Sequence, residues 1–275
     1  MKRICVMWLG FALGALLVPA LSHAAVSCTR AGLLQAVDLY LAAQARGDVT
    51  GLPLTKGIGY WENAAPADIN KGIITKAMKI DHHRSIFDTS TCQTFTEVIV
   101  TDKAAPYVLG TRLRVNHDKI AAIEILWTTT GYWLFNADSY LKHSSSEDWG
   151  PIPAPKRDSR ATLVAAANAY LDAFLEKKLD LVPWGVPCER LEGGAYVGNG
   201  SASDNCEVGV PGGVNIVNRR FIVDPVFGTV QVFCRFGVGG PADSHLFRVQ
   251  NGKLRYVHTL THLLMSDFGG NRPPH

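Results

Sequence analysis

Several short stretches of this 275-residue chain hold side chains able to move protons. Asp81-His82-His83-Arg84, with Asp88 just beyond, is the densest run of titratable groups. Histidine titrates near neutral pH, and a neighbouring carboxylate can set its tautomer. Arg84 and Asp88 also read as a structural ion pair, because Arg220 and Asp224 repeat their spacing. His82 and His83 have no such echo and are the better site candidates. Glu62 follows Tyr60-Trp61. A carboxylate held among aromatic rings is desolvated, which raises its pKa toward that of a usable acid or base; a surface loop carboxylate is the plainer reading. Glu97 shares a strand face with Phe95 and Ile99, and points either into a pocket or to solvent. Glu192 precedes Gly193-Gly194, where backbone can approach a ligand closely. Asp243-Ser244-His245 opens one strand and His258 lies in the next, four residues before His262. His245 and His258 are therefore expected to meet across a hairpin. The candidate catalytic set is His82, Glu62, His258 and His245. The candidate substrate contacts are Tyr60, Trp61, Asp88, Glu97, Tyr107, Glu192 and Thr261.

Other chemistries lack their signatures. There is no H-E-x-x-H, H-x-H or C-x-x-C, so no metal ligand set is expected from spacing. No G-x-S-x-G elbow marks a serine hydrolase. The glycine-rich segments follow neither the Walker nor the dinucleotide pattern, and no cofactor is expected. Lys plus Arg is 27 against 24 for Asp plus Glu, a net of +3. Without Lys2 and Arg3 the balance falls to +1, which argues against a nucleic-acid partner. Hydrophobic residues make up 47% and charged residues 19%, enough apolar material for a packed core.

The elements that position these residues come from an internal repeat. Lys2-Arg3, an apolar run from Ile4 to Ala20 and Ser22-His23-Ala24 read as a signal peptide over 1–24, cleaved before Ala25. The expected location is secreted or periplasmic, with no membrane association after cleavage. An uncleaved anchor, or a lipid on Cys28, is the alternative. In an oxidising compartment Cys28–Cys92 and Cys188–Cys206 are the expected disulfides, one per half. Cys234 is left over and reads as a small buried hydrophobe. RAGLLQAVDLYLAA (30–43) recurs as RATLVAAANAYLDA (160–173), both with helical periodicity and with Thr29 and Ser159 as N-caps. RVNHDKIAAIEIL (114–126) recurs as RVQNGKLRYVHTL (248–260), a hairpin each time. Two similar units are expected, 25–143 and 159–268, with a proline-rich stiff linker over 144–158 and a tail over 269–275. The fold class is α+β, with helices segregated from a curved antiparallel sheet in each unit. An Asn199-Gly200-Ser201 sequon lies in the second unit.

YWEN (60–63), KIDHHRSIFD (79–88), EDWGPIP (147–153), CERLEGGAY (188–196), Gly-Val-Pro at 209–211, PADSHLFRV (241–249) and RYVHTLTHLL (255–264) resemble a family of secreted fungal and bacterial proteins of unknown function. The tandem layout is similar to SnoaL/NTF2-like cone domains. The resemblance implies two such cones, as a monomeric pseudo-dimer or a homodimer. It also implies cofactor-independent acid–base chemistry on a small apolar, aromatic substrate of phenolic or lignin-derived aryl-propanoid type, by dehydration, isomerisation or addition/elimination, ether-bond chemistry included. An exported carrier of such molecules without turnover is the alternative, since fold does not decide function.

Overall fold

The computed structural model describes residues 25–198, 201–207, 210 and 212–268. The expected signal segment 1–24, Asn199-Gly200 of the sequon, Gly209 and Pro211 of the Gly-Val-Pro motif and the tail 269–275 lie outside the described residues.

Each unit opens with a seventeen-residue helix, α1 (Arg30–Arg46) and α3 (Arg160–Glu176). The Thr29 hydroxyl accepts from Gly32 N and the Ser159 hydroxyl from Thr162 N, so both expected N-caps form. Gly47 closes α1 in the left-handed conformation that lacks a Cβ penalty. The first unit continues as β1 (Leu54–Glu62), β2 (Ala65–Pro66), β3 (His82–Asp88), β4 (Gln93–Val100), β5 (Tyr107–Asn116), β6 (Lys119–Thr128) and α2 (Ala137–Ser144). The second continues as β7 (Trp184–Glu192), β8 (Ala195–Val197), β9 (Ile216–Asp224), β10 (Thr229–Phe236), β11 (Ala242–Gln250) and β12 (Lys253–His262).

The strand order repeats: β2-β1-β6-β5-β4-β3 and β8-β7-β12-β11-β10-β9. The sheets are mixed, not purely antiparallel as expected, because β1 runs parallel to β6 and β7 parallel to β12. The segments that form β1 and β7 lack clean alternation, and they read in the sequence as irregular connections. Both expected disulfides form, at 1.92 Å for Cys28–Cys92 and 2.01 Å for Cys188–Cys206. Among the described residues no helix is long and apolar enough to cross a membrane.

Alternation along the strands gives each sheet two buried faces. Val98, Leu109, Leu113 and Ile123 pack under α1; Val232, Cys234, Phe247 and Val257 pack under α3. The opposite faces meet each other. Ile86, Phe95, Ile99 and Leu126 of the first sheet join Ile222, Phe233, Leu246 and Leu260 of the second in one cluster. Phe95 and Phe233 touch edge to face, with centroids 5.9 Å apart.

Two reciprocal ion pairs tie the units at this seam. Arg160 binds Asp88 through both terminal nitrogens at 2.8 Å. Arg30 binds Asp224 likewise at 3.0 Å. Each aspartate also accepts a backbone N–H from the other unit: Asp88 from Val223 and Asp224 from Phe87. This corrects the expected Arg84–Asp88 and Arg220–Asp224 pairs and removes Asp88 from the substrate contacts. An ion pair within β3 or β9 is ruled out by distance, since four residues of strand span about 13 Å, whereas the helix start of the opposite unit arrives end-on. The linker is also more than a spacer. Its Trp149 and Ile152 are buried against the second unit, and α2 extends to Ser144.

Asp88→Ala and Asp224→Ala are each expected to lower the free energy of urea unfolding by about 2–4 kcal/mol, under the full cost of breaking a buried pair because the guanidiniums stay partly hydrated. Removing the exposed Asp68–Lys71 pair by Asp68→Ala should have a far smaller effect. Equal effects at the three positions would refute the clamp.

Candidate functional site

The sheet faces sort the candidate residues into groups that the sequence left mixed. His258 pairs with Leu246 across β11–β12, so His245, one residue away, points to the other face. The two histidines therefore do not meet.

His258 faces the seam between the sheets. Its Nδ1 lies 3.0 Å from Oε2 of Glu97, and its Nε2 lies 2.6 Å from Oε2 of Glu147, a linker residue. Glu97 also accepts from the Tyr140 hydroxyl at 2.7 Å, Arg84 at 3.0 Å and the Ser144 hydroxyl at 3.1 Å. Arg84 covers the Trp149 ring, whose Nε1 donates to Glu147 at 2.7 Å. Two carboxylates, one guanidinium and one imidazolium thus close a neutral, buried network. Burial disfavours the His258 cation, but Glu147 and Glu97 together raise its pKa to about 9. Burial likewise opposes ionisation of Glu97, yet the His258 charge, its hydrogen bond and Arg84 hold the carboxyl down to about 2. Glu97 thus faces neither the space under α1 nor solvent. His82 begins β3 beside this network, half-buried, with Nε2 enclosed and unpaired; burial and then Arg84 lower its pKa.

Glu62 ends β1 under an arch of rings. It accepts from the Tyr60 hydroxyl at 2.5 Å, the backbone N–H of Ile73 at 2.5 Å and Nε1 of Trp127 at 3.2 Å. Trp127 packs edge to face on Tyr107, Tyr132 and His262, with centroids 6.1, 5.6 and 5.1 Å away. Burial, then the Glu62 hydrogen bond and charge, raise the Tyr60 pKa, so its phenol keeps its proton. Four of the rings are only half-buried, so this group opens toward solvent. Tyr107 also accepts from Lys76 Nζ at 3.3 Å. Trp61, the neighbour of Tyr60, points the opposite way, to the rim of a cleft of about 290 Å³ shared with Arg112, Glu124, Arg220 and Arg235.

Glu192 is the second unit's counterpart of Glu62. It accepts from Trp133 Nε1 at 2.7 Å and pairs with Arg190 at 2.5 Å. Gly193 and Gly194 do permit a close approach, but of the chain itself. A Cβ on either would lie 2.4 Å from a carbonyl of Trp133 or Asn136. Thr261 donates to Asp243 at 2.8 Å under α3, where Asp243 Oδ2 also lies 2.6 Å from His245 Nδ1. Cys234 completes that group: one ligand-type atom from each of Cys234, Asp243 and His245 lies within 4.8 Å of the others. Cys234 is buried in the apolar cluster under α3 as expected, and it also lies beside two polar groups. Burial first, then Asp243, raise its thiol pKa well above the usual range. These are the described residues able to hold a metal ion, and their spacing on two strands carries no motif.

The sequence reading missed Tyr140, Ser144 and Glu147 at the seam. Their one signal was the Glu147-Asp148-Trp149 run inside a linker otherwise rich in proline and serine.

Residues 156–261 match a family described as Domain of unknown function (DUF8021). The match covers the second unit. No curated protein matches the chain. Among solved structures, an NTF-2 like protein of unknown function from Burkholderia xenovorans LB400 is similar at 9% identity over 42% of this chain and 97% of its own, with a TM-score of 0.27.

The His258 pKa of about 9 lies above its ordinary 6.5, so its stabilisation is complete below pH 6.5 and is lost as pH rises through about 9. That of Glu97, about 2 against 4.5, is complete above pH 4.5 and is lost as pH falls through about 2. Thermal unfolding followed from pH 6 to 10 is expected to show a falling midpoint, and His258→Gln to start lower and fall less. An unchanged alkaline slope in the variant would count against the network.

Proposed function

We propose that this chain is an exported acid–base enzyme acting without a cofactor on a small aromatic molecule, with Glu62 as its proton-transferring group. The observation that carries the reading is the half-open arch of Tyr60, Tyr107, Trp127, Tyr132 and His262 around that carboxylate. Rings at these edge-to-face angles present faces and edges to a planar substrate. Glu62 is positioned to take a proton from a carbon next to a carbonyl, or from a phenol, and to return it elsewhere. Tyr60, kept protonated, donates its hydroxyl to Glu62 and so holds that carboxylate in place. The substrate class, phenolic or aryl-propanoid, rests on the family resemblance and on these rings. Export is supported by the two disulfides and by the signal-like N-terminal sequence. The NTF2-like reading of each unit rests on the same resemblance.

His258 and Glu97 are not assigned to this site, because both ring nitrogens of His258 are already committed to carboxylates. His245 lies in the other unit, and His82 remains a lesser candidate beside the seam. A second reading, a carrier without turnover, is favoured by one feature: Glu62 already accepts three donors from the protein itself.

Incubation of the protein with a panel of aryl ketones, aryl propanols and phenolic enones, read by mass spectrometry, separates the two. The enzyme reading expects turnover that falls about 10²–10⁴-fold in Glu62→Gln while ligand binding persists. Binding without turnover in the unaltered protein would establish the carrier. Turnover unaffected by Glu62→Gln would remove Glu62 from the chemistry.

A further inference from the structure

The two units are built alike, so a position polar in one and apolar in the other marks something the fold does not require. Cys234 and Asp243 face each other across β10–β11, as Val98 and Leu109 do across β4–β5. Two residues on, His245 takes the place of Thr111. The first unit thus fills this space with Val98, Leu109 and Thr111, and the Thr111 hydroxyl meets the Tyr40 hydroxyl at 2.6 Å. In the second unit the three positions carry a thiol, a carboxylate and an imidazole, each about 1% exposed. Tyr170, the counterpart of Tyr40, is fully buried with its ring 5.6 Å from that of His245, and its hydroxyl has no partner. Leaving that hydroxyl unpaired in an apolar core is costly unless something else binds it.

We propose that Cys234, Asp243 and His245 form a buried binding site for a transition-metal ion of the zinc class, with the Tyr170 hydroxyl closing the set directly or through a water. Sulfur, imidazole nitrogen and carboxylate oxygen together suit zinc, cobalt or copper and not calcium or magnesium. The sulfur lies 3.5 Å from Asp243 Oδ2 and 3.9 Å from His245 Nδ1. Bond lengths of about 2.0–2.3 Å in a tetrahedron put ligand atoms about 3.3–3.5 Å apart, so both sulfur distances are near those of a filled site. The Asp243–His245 contact, 2.6 Å, is closer than two ligand atoms sit in a tetrahedral site, so a bound ion has to part these two side chains. Thr261 holds the other Asp243 oxygen at 2.8 Å, the outer-shell contact that orients a ligating carboxylate. Arg190, whose charge is felt at Tyr170, is paired with Glu192 and so does not oppose a cation unscreened. The site belongs to the second unit and is independent of the chemistry proposed at Glu62.

The test is metal content and cobalt spectroscopy on the full, disulfide-bonded chain. Protein refolded with zinc and then desalted is expected to retain about one ion per chain, and its thermal midpoint to fall after chelation. Refolding with Co(II) should give the thiolate-to-cobalt charge-transfer band of a sulfur ligand. Cys234→Ser should lose that band. A triple variant, Cys234→Val with Asp243→Leu and His245→Thr, copies the residues with which the first unit packs; it should fold and retain no metal. No retained zinc and no cobalt band in the unaltered chain would overturn the proposal. So would metal held equally by the triple variant, which would place the ion elsewhere.

Discussion

The architecture depends on two aspartates buried at the seam between the units. Asp88 and Asp224 are each about 1% exposed, and each ends a strand of its own unit. A carboxylate so placed destabilises the fold unless it is fully met by donors. Here the following turn of its own unit supplies backbone donors, and the rest come from across the seam: the bidentate guanidinium at the start of the opposite unit's helix, and one backbone N–H from the opposite strand. Neither unit alone satisfies its own aspartate in this way. The order of layers follows, with α1 and α3 outside and the two sheets face to face between them.

Once the sheets are joined, alternation along each strand assigns every side chain to the seam or to the space beneath a helix. At the seam the two units have diverged. The first unit's Glu97 meets the second unit's His258, whereas the reciprocal positions hold Phe233 and Glu124, and Glu124 is met by Arg112 and Arg220. One half of the interface is thus welded by a neutral buried network, while the other borders an open, arginine-lined cleft. Beneath the helices the divergence runs the other way. The first unit is apolar near Tyr40 and opens at Glu62; the second encloses Cys234, Asp243 and His245. Duplication supplied two equivalent frameworks, and substitution at a few matched positions gave each a different interior.

Much of this organisation was legible in the residues. The helix starts at Arg30 and Arg160, their caps and the hairpins follow from patterns within short windows, and the disulfides from having one cysteine pair in each half. β1 and β7 were not legible, because a strand that runs parallel to a partner distant in the chain declares itself only through that partner. The candidate site was legible in its members and not in its groupings. Tyr60, Glu62 and Tyr107 come together as a set; His245 and His258 do not, since a one-residue difference in register sends them to opposite faces.

Residue types and local spacing therefore determined the repeat, the α+β class and the short roster of groups able to do chemistry. Those are properties of chain segments, set by propensity, periodicity and capping over a turn or a strand. Only the tertiary structure decided that Arg160 serves Asp88, that Glu147 of the linker reaches His258, and that Cys234, Asp243 and His245 lie together under α3. Each of these is a choice of partner made across the seam or between strands. Such choices depend on which faces are buried against which, and that is decided when two sheets pack rather than in the sequence of either.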